Sequence, residues 1–268
     1  MTAPIPWPYP RVLAHRGGGT LAPENTLAAI RVGFEHGFTA IECDAMLAAD
    51  RVPVLIHDPV LERTTSGRGE VAAAGSAEMA ALDAGSWFAP RFAGEPVPTL
   101  AAAMDLCASM RIWMNIEIKP SPGREAETGA VVAGDVAGRW RDGGAEPDAS
   151  SRAARAGLAR AGAPLLSSFS TAALAAARRA APRLPLGWLC EAPPDDWLAR
   201  IRDLDVEALH CWHGALDERL ARDVREAGYW LFCYTVNDAQ RAAQLFAWGI
   251  DALCTDRLDV VRPVDPRR

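Results

Sequence analysis

The chain carries the sequence Val12-Leu13-Ala14-His15-Arg16-Gly17-Gly18-Gly19 close to its amino terminus. The three apolar residues predict a short buried strand, and the polar residues that follow predict its end. The strand therefore carries an imidazole and a guanidinium to its carboxyl end, beside glycines that let a ligand approach the backbone closely. Polar residues at such strand ends surround the catalytic mouth of a parallel barrel, so this stretch indicates both a fold and a site.

Short β-like runs alternate with Ala-rich helical patterns along the rest of the chain. This alternation predicts repeated βα units, and 268 residues suit one (β/α)8 barrel, a fold of about 250 residues. We therefore expect residues 1–268 to form a single domain. The predicted strands are 12–15, 40–46, 53–57, 113–118, 165–168, 186–189, 208–212, 230–235 and 252–255. The predicted helices include 26–36, 100–110, 171–181, 216–227 and 239–248.

Nine strands are one more than the barrel needs, and the connection between Asp44 and His57 suggests the reason. It is too short for a helix, and Asp50-Arg51 at its middle is typical of a hairpin turn. With a two-residue loop, Asp44 would face His57 across an antiparallel pair, within cross-strand reach. One of these two strands would then be additional to the eightfold pattern.

Two segments interrupt the alternation of strands and helices. Residues 59–98 are rich in Gly and Ala, and a stretch of this length between barrel elements is usually a functional insertion with some structure of its own. Residues 141–151 are rich in Gly, Asp and Ser and predict an exposed loop.

The composition argues against binding to nucleic acids and against insertion into a membrane. A formal net charge of −6 and a pI near 5.4 argue against a nucleic-acid-binding surface, which is usually basic. No apolar run reaches the ~20 residues that span a bilayer, and the amino-terminal segment does not resemble a signal peptide. The six cysteines form no C-x-x-C pair and are typical of buried free thiols. We therefore expect a cytoplasmic protein without stable membrane association.

Carboxylates recur in two of the predicted strands. Side chains alternate between the faces of a strand, so Glu42 and Asp44 share one face, as do Glu117 and Lys119 on another strand. Two like charges ~4 Å apart repel by about 4 kcal/mol at an effective dielectric constant of 20, and three such pairs approach the stability of a whole domain. The cluster therefore needs protons or a cation. Oxygen ligands favour Mg²⁺, Ca²⁺ or Mn²⁺ over zinc, although ion pairs with Lys119 and Arg16 are the alternative.

Two of the five histidines, His15 and His57, end apolar strand-like runs. An imidazole titrates near neutral pH, so such a pair can supply one general base and one general acid. We expect Asp58 and the facing Asp44 to raise the pKa of His57, which favours His57 as the acid. His210 could face the same mouth or pack in the core, and the sequence does not decide between these positions.

Two cations and three aromatic residues complete the candidate site. Arg16 and Lys119 suit a phosphate oxyanion, the first through its planar fork and the second as a point charge. Phe169, Trp212 and Tyr234 follow or end later predicted strands, where they could line an apolar wall of the pocket or pack in the core. Imidazoles, carboxylates and fixed cations at neighbouring strand ends indicate metal-assisted phosphoryl chemistry.

Several short motifs occur in a fixed order from near the amino terminus almost to the carboxyl terminus. They are His15-Arg16-Gly17, Pro23-Glu24-Asn25-Thr26, Ile41-Glu42-Cys43-Asp44, Ile56-His57-Asp58, Leu61-Glu62-Arg63-Thr64-Thr65, Asn115-Ile116-Glu117-Ile118-Lys119-Pro120, Ser167-Ser168-Phe169, Tyr234-Thr235-Val236-Asn237, Gly249-Ile250-Asp251 and Thr255-Asp256. Each motif is weak alone, but the ordered set is specific. In this ordered set of motifs the chain closely resembles the glycerophosphodiester phosphodiesterases, especially their cytosolic bacterial branch.

The resemblance implies a TIM-like barrel of the phospholipase C-like phosphodiesterase type, with a small insertion after His57 at about 59–98. It also implies hydrolysis of a small-molecule glycerophosphodiester, such as glycerophosphocholine or glycerophosphoethanolamine, to sn-glycerol 3-phosphate and an alcohol. The nucleophile would be the glycerol 2-hydroxyl, through a cyclic phosphate, or water.

The resemblance further implies roles for individual residues. One divalent cation, Mg²⁺, Ca²⁺ or Mn²⁺, would be held by Glu42, Asp44 and Glu117, with His15 and His57 as the acid–base pair and Arg16 and Lys119 on the phosphate. Phe169 and Tyr234 are further candidates for contact with the substrate.

Two other functions remain as alternatives at this point. One is a related barrel phosphodiesterase, such as a phospholipase D-like enzyme, that acts on another phosphodiester or a lysophospholipid. That substrate would call for a secretion signal or a docking surface, neither of which the sequence shows. The other is a non-catalytic binding barrel, which would be free to lose the ionic residues that this chain keeps. The sequence leaves open the leaving-group alcohol, the physiological metal and whether the chain forms a homo-oligomer.

Overall fold

The computed structural model describes residues 6–140 and 152–263. Every predicted strand is present, and their ends differ from the prediction by at most two residues. The strands are β1 (Val12–Ala14), β2 (Ala40–Leu47), β3 (Pro53–Leu55), β4 (Trp113–Ile118), β5 (Leu165–Ser168), β6 (Leu186–Cys190), β7 (Ala208–Trp212), β8 (Trp230–Tyr234) and β9 (Ala252–Thr255).

Eight of these strands close into a parallel barrel. In sheet order β1 is followed by β9, β8, β7, β6, β5, β4 and β2, and β2 pairs again with β1. The predicted (β/α)8 barrel is therefore confirmed. Along each strand, alternate side chains point outward to the helices or inward to the barrel axis. In β2, for example, Ile41 and Cys43 pack in the main hydrophobic core, so Glu42 and Asp44 point inward.

The helices are α1 (Leu27–Glu35), α2 (Ser76–Met79), α3 (Leu100–Met110), α4 (Glu125–Arg139), α5 (Arg152–Arg160), α6 (Thr171–Ala180), α7 (Trp197–Asp203), α8 (Glu218–Glu226) and α9 (Ala239–Trp248). Several begin at a polar side chain that accepts a hydrogen bond from a backbone N–H of the first turn, as at Thr26, Thr99 and Asp238. No helix within the described ranges has both the length and the apolar character that crossing a bilayer requires.

The five named predicted helices are present, whereas α4 was not predicted. Its sequence contains Gly129, Gly134 and Gly138, which lower helix propensity by about 1 kcal/mol each relative to alanine. The contacts between α4 and α6 override this local preference. The loop predicted for 141–151 lies outside the described residues.

The extra strand, β3, runs antiparallel to β2, as the hairpin prediction requires. The predicted register is wrong by one residue, because the backbone N–H of Ile56 donates to Asp44 O at 3.2 Å and His57 therefore does not face Asp44. The cause is the length of the loop. The hairpin turns through three residues, 49–51, and Arg51 adopts the left-handed conformation with φ of 66°. A three-residue loop that ends in this conformation is a common alternative to the two-residue turn.

Residues 59–98 form the expected insertion, which shares a small apolar cluster with the β2–β3 hairpin. The hairpin and the residue after it contribute Met46, Ala48, Val54 and Ile56, and the insertion contributes Leu61, Val71, Ala74, Met79, Ala84 and Val97. The insertion thereby fixes the segment that immediately follows β3, which carries His57 and Asp58.

Two glycines of α4 provide a matched test of helix packing. A Cβ at Gly129 would overlap with the carbonyl oxygen of Ala173 in α6, whereas a Cβ at Gly134 meets nothing within 4 Å. We expect Gly129→Ala to lower the free energy of unfolding by about 1–3 kcal/mol through overpacking, and Gly134→Ala to raise it by up to about 1 kcal/mol through helix propensity. Urea denaturation measures both values, and equal shifts would contradict this packing.

Candidate active site

The barrel brings three carboxylates together at the carboxyl ends of β2 and β4. Parallel pairing places Asp44 directly beside Glu117, and Glu42 lies two residues earlier on the same inward face of β2. One carboxylate oxygen from each of the three lies within 4.8 Å of the others. Glu42 and Asp44 are buried, so water does little to screen the repulsion among them.

Two fixed cations partly neutralise this acidic cluster. Arg16 Nε lies 3.3 Å from Asp44 Oδ2, and Lys119 Nζ lies 3.2 Å from Glu117 Oε1 and 3.9 Å from Asp44 Oδ1. Asn25 also holds Asp44, because its Nδ2 donates to Oδ2 at 2.7 Å and its Oδ1 accepts from the Asp44 backbone N–H at 3.0 Å. Three carboxylates therefore face two cations, which leaves one negative charge in excess.

The pKa values of the cluster reflect this imbalance. Burial, and then the charge of Asp44, raises the pKa of Glu42 to about 8 and that of Glu117 to about 7. Burial alone would also raise the pKa of Asp44, but the charges of Arg16 and Lys119 hold it below its ordinary value. Without a further cation, Glu42 and Glu117 therefore tend to retain protons. A set of three converging carboxylates fits a hard divalent cation, which would replace those protons.

His15 is oriented by a carboxylate from the segment directly after β9, the last strand in the chain. Its Nδ1 lies 2.5 Å from Asp256 Oδ1, while its Nε2 lies 3.7 Å from Glu42 Oε2. Asn237 fixes Asp256 in turn, because its Nδ2 donates to Asp256 Oδ2 at 3.1 Å and its Oδ1 accepts from the Asp256 backbone N–H at 2.8 Å. This arrangement turns the Nε2 side of His15 toward the acidic cluster.

His57 has a similar partner within a chain of ion pairs. Its Nδ1 lies 2.6 Å from Asp58 Oδ1, and Asp58 Oδ2 accepts from Arg63 Nε at 2.5 Å. Arg63 also donates to Glu24 at 2.7 and 2.9 Å, and Glu24 accepts from Arg16 Nη1 at 2.7 Å. Both imidazoles therefore use Nδ1 for a carboxylate and leave Nε2 for other partners.

The pKa values of the two histidines shift in opposite directions. Burial would lower the pKa of His15, but the hydrogen bond with Asp256 and the charge of Glu42 raise it above its ordinary value. Burial lowers the pKa of His57, and the opposing effects of Asp44 and Asp58 do not compensate. The expectation of a raised pKa for His57 is therefore wrong, because desolvation outweighs its acidic neighbours.

A cavity of about 320 Å³, counting its opening, lies between the acidic cluster and the aromatic residues. Its lining includes Phe169 and Tyr234, whose rings meet edge to face with centroids 5.9 Å apart. His210 also lines the cavity, at a fully buried position stacked on Phe232. The structure thus decides the position of His210, which points into the barrel rather than toward the helices. Burial lowers the pKa of its imidazole to about 3.

The structure brings together all of the predicted site residues, namely His15, Arg16, Glu42, Asp44, His57, Glu117 and Lys119 around the acidic cluster and Phe169 and Tyr234 across the cavity. The sequence argument assigned no role to four residues that hold them in place, Glu24, Asn25, Arg63 and Asp256. Each of these lies inside one of the quoted motifs, so the motifs were the available signal. The partner of Asp256 is distant along the chain, and no spacing rule connects any of the four residues with its partners.

Comparison with known proteins identifies one family of enzymes. The model of the glycerophosphoryl diester phosphodiesterase family matches residues 15–260. The chain is 30% identical to a glycerophosphodiester phosphodiesterase of Caldanaerobacter subterraneus, over 91% of this chain and 93% of that protein. It is also 30% identical to a putative glycerophosphodiester phosphodiesterase of Bacillus subtilis, over 93% and 96% of the two chains.

A solved structure agrees with the relatives found by sequence. A phosphodiesterase of Oleispira antarctica, in complex with its product sn-glycerol 3-phosphate, superimposes with a TM-score of 0.81 at 34% identity, over 92% of this chain and 93% of that one. Since the family model and these relatives span nearly the whole chain, including every residue of the acidic cluster, the protein belongs to the glycerophosphodiester phosphodiesterase family of hydrolases.

Proposed function

We propose that this enzyme hydrolyses glycerophosphodiesters, such as glycerophosphocholine or glycerophosphoethanolamine, to sn-glycerol 3-phosphate and an alcohol by acid–base catalysis with His15 and His57. The observation that carries the proposal is the pair of imidazoles, each bound through Nδ1 to a carboxylate, beside an acidic cluster with two fixed cations. The product bound to the similar Oleispira antarctica enzyme supports the same substrate class.

In this proposal Glu42, Asp44 and Glu117 hold one divalent cation, Mg²⁺, Ca²⁺ or Mn²⁺. When bound, the cation supplies Lewis-acid activation of the phosphodiester and helps to orient it. Arg16 and Lys119 lie beside the same carboxylates, with Arg16 Nε 3.3 Å from Asp44 Oδ2 and Lys119 Nζ 3.2 Å from Glu117 Oε1. Both side chains are partly exposed, so some of their N–H groups can donate hydrogen bonds to the phosphate oxygens.

The two imidazoles divide the proton transfers. One Nε2 accepts the proton of the attacking hydroxyl, which belongs to the glycerol C2 carbon or to water, as the new P–O bond forms. The other Nε2 donates a proton to the alcohol oxygen as the old P–O bond breaks. Asp256 and Asp58 hold the rings and favour the tautomer with hydrogen on Nδ1, because an ionised carboxylate can only accept a hydrogen bond and Nδ1 must therefore donate it. An alternative substrate such as a lysophospholipid would undergo the same proton transfers and would differ in the acyl chain on its glycerol.

We propose the cytoplasm as the compartment of this reaction. All six cysteines are free, and five of them are buried. Free thiols of this number are typical of a reducing compartment.

Removal of one carboxylate charge tests the proposed metal site. We expect chelator to abolish hydrolysis of glycerophosphocholine, and Mg²⁺, Ca²⁺ or Mn²⁺ to restore it. Glu117→Gln should weaken Mg²⁺ binding at least about tenfold in calorimetry, since the loss of an outer-shell partner alone costs that much. Glu226→Gln, at an exposed position in α8, makes the same chemical change away from the cluster and should bind like the wild type. Full activity in excess chelator would contradict the assignment.

Substitution of the histidines tests the acid–base scheme. We expect His15→Ala and His57→Ala each to lower kcat by about 10²–10⁴, with His36→Ala, at an exposed helix end, as the unaffected control. The double variant should lose much less than the product of the two single losses, because the residues act in one reaction.

A change of leaving group distinguishes the acid from the base. A nitrophenyl phosphodiester needs no proton on its leaving oxygen, so it should restore turnover only to the variant that lacks the acid. Circular dichroism checks that each variant remains folded. Equal restoration of both variants, or of neither, would refute the paired scheme.

A further inference from the structure

The mouth of the barrel has two chemically different halves. Strands β1, β2 and β4 carry the ionic residues described above. Phe169 and Glu191 directly follow the neighbouring strands β5 and β6, and Trp212 and Tyr234 end β7 and β8. His210 lines the cavity, and side chains alternate along a strand, so Trp212 lies on the same inward face of β7, two residues further toward the mouth. Glu191 is exposed and directly follows β6, next to the end of β7.

Hydrogen bonds and strand pairing connect three of these residues, Glu191, Trp212 and Tyr234, and Phe169 contacts the Tyr234 ring edge to face. Trp212 pairs with Tyr234 across β7 and β8, and the backbone N–H of Trp212 donates to Glu191 O at 3.2 Å. The Tyr234 hydroxyl donates to Cys190 O at 2.9 Å, next to Glu191. Burial above all raises the pKa of Tyr234, and the charges of Glu117 and Glu191 both contribute. The Tyr234 hydroxyl is therefore within electrostatic reach of both halves of the mouth.

Two of these aromatic side chains are unusually accessible to solvent. Trp212 is 50% exposed and Phe169 is 44% exposed, although Trp212 ends β7 and Phe169 directly follows β5. The Trp212 ring packs over Gly214, where an added Cβ would overlap with it, so backbone contact fixes the ring at this exposed position. Two held aromatic surfaces at a catalytic mouth are suited to contact with a ligand.

Glu191 supplies an unneutralised negative charge beside these rings. It has no ion-pair partner among residues 6–140 and 152–263, unlike the carboxylates of the acidic cluster. Arg241, on the nearby helix α9, donates to the carbonyl oxygens of His213 and Leu216 and lies over the Trp248 ring. That guanidinium is therefore engaged elsewhere. Aromatic faces together with a free carboxylate attract an organic cation more strongly than a neutral polyol.

We propose that Phe169, Glu191, Trp212 and Tyr234 form the subsite for the leaving-group alcohol and select alcohols that carry an ammonium group. This inference rests on the proposed function, because it assigns a subsite for the same reaction. Tyr234 and Phe169 line the cavity together with His15, Glu42 and Glu117, so one diester can contact both halves of the mouth. The glycerol phosphate part lies on the ionic half and the cationic alcohol on the aromatic half.

An isosteric pair of substrates tests the subsite. Glycerophosphocholine and the 3,3-dimethylbutyl ester of glycerol phosphate have the same shape, but a carbon replaces the charged nitrogen in the second. We expect the wild type to favour the choline ester about tenfold in kcat/KM. Glu191→Gln and Trp212→Leu should bring this ratio toward one, mainly by raising KM for the choline ester. Glu226→Gln and Phe34→Leu make matched changes at exposed positions outside the mouth and should keep the ratio.

The possible results of this experiment distinguish failure of the subsite from failure of the proposed function. A wild-type ratio near one, with both esters hydrolysed, would overturn the subsite and leave the phosphodiesterase function in place. Equal losses for both esters in Glu191→Gln and Trp212→Leu would overturn charge selection and assign this half of the mouth to the glycerol group. If the wild type hydrolysed neither ester, the proposed function itself would fail, and the subsite with it.

Discussion

Repulsion among three carboxylates in the barrel is the interaction on which the charges and contacts of the rest of the site depend. The parallel register of β2 and β4 places Asp44 beside Glu117, and the alternation of side chains adds Glu42 on the same inward face. A barrel gives these groups no room to separate, because hydrogen bonds fix each strand on both sides. Burial raises the pKa of Glu42 and Glu117, and the charge of Asp44, which Arg16 and Lys119 compensate only in part, raises it further. The chemistry of the cluster therefore fits the divalent cation that we propose for it.

The remaining ionic residues position groups around that cluster. His15 and His57 come from different parts of the fold, yet each has its Nδ1 on a carboxylate outside the cluster. The partner of His15 belongs to the segment after β9, which barrel closure brings next to β1. The partner of His57 is the next residue in the chain, and the insertion adds Arg63 to hold it. Closure of the barrel and the insertion thus each orient one imidazole.

The sequence was sufficient for features that depend on local periodicity. The alternation in β2 and β4 predicted which side chains face inward, and apolar runs located all nine strands. The sequence was insufficient for features that depend on the surrounding fold or on contacts between distant segments. The hairpin register depends on whether Arg51 adopts a left-handed conformation, which one residue type does not decide. The pKa of His57 depends on burial by the surrounding fold. The roles of Asn25 and Asp256 depend on partners that only the closed barrel brings near.

The central claim, that the acidic cluster is a cation site, is tested most directly by anomalous diffraction from crystals grown with Mn²⁺. Data on both sides of the manganese absorption edge locate the ion independently of any activity. The account predicts one strong anomalous peak in contact with carboxylate oxygens of Glu42, Asp44 and Glu117, and loss of that peak in crystals treated with chelator. Ordered, ion-free carboxylates under saturating Mn²⁺, or a peak bound only by other residues, would contradict it.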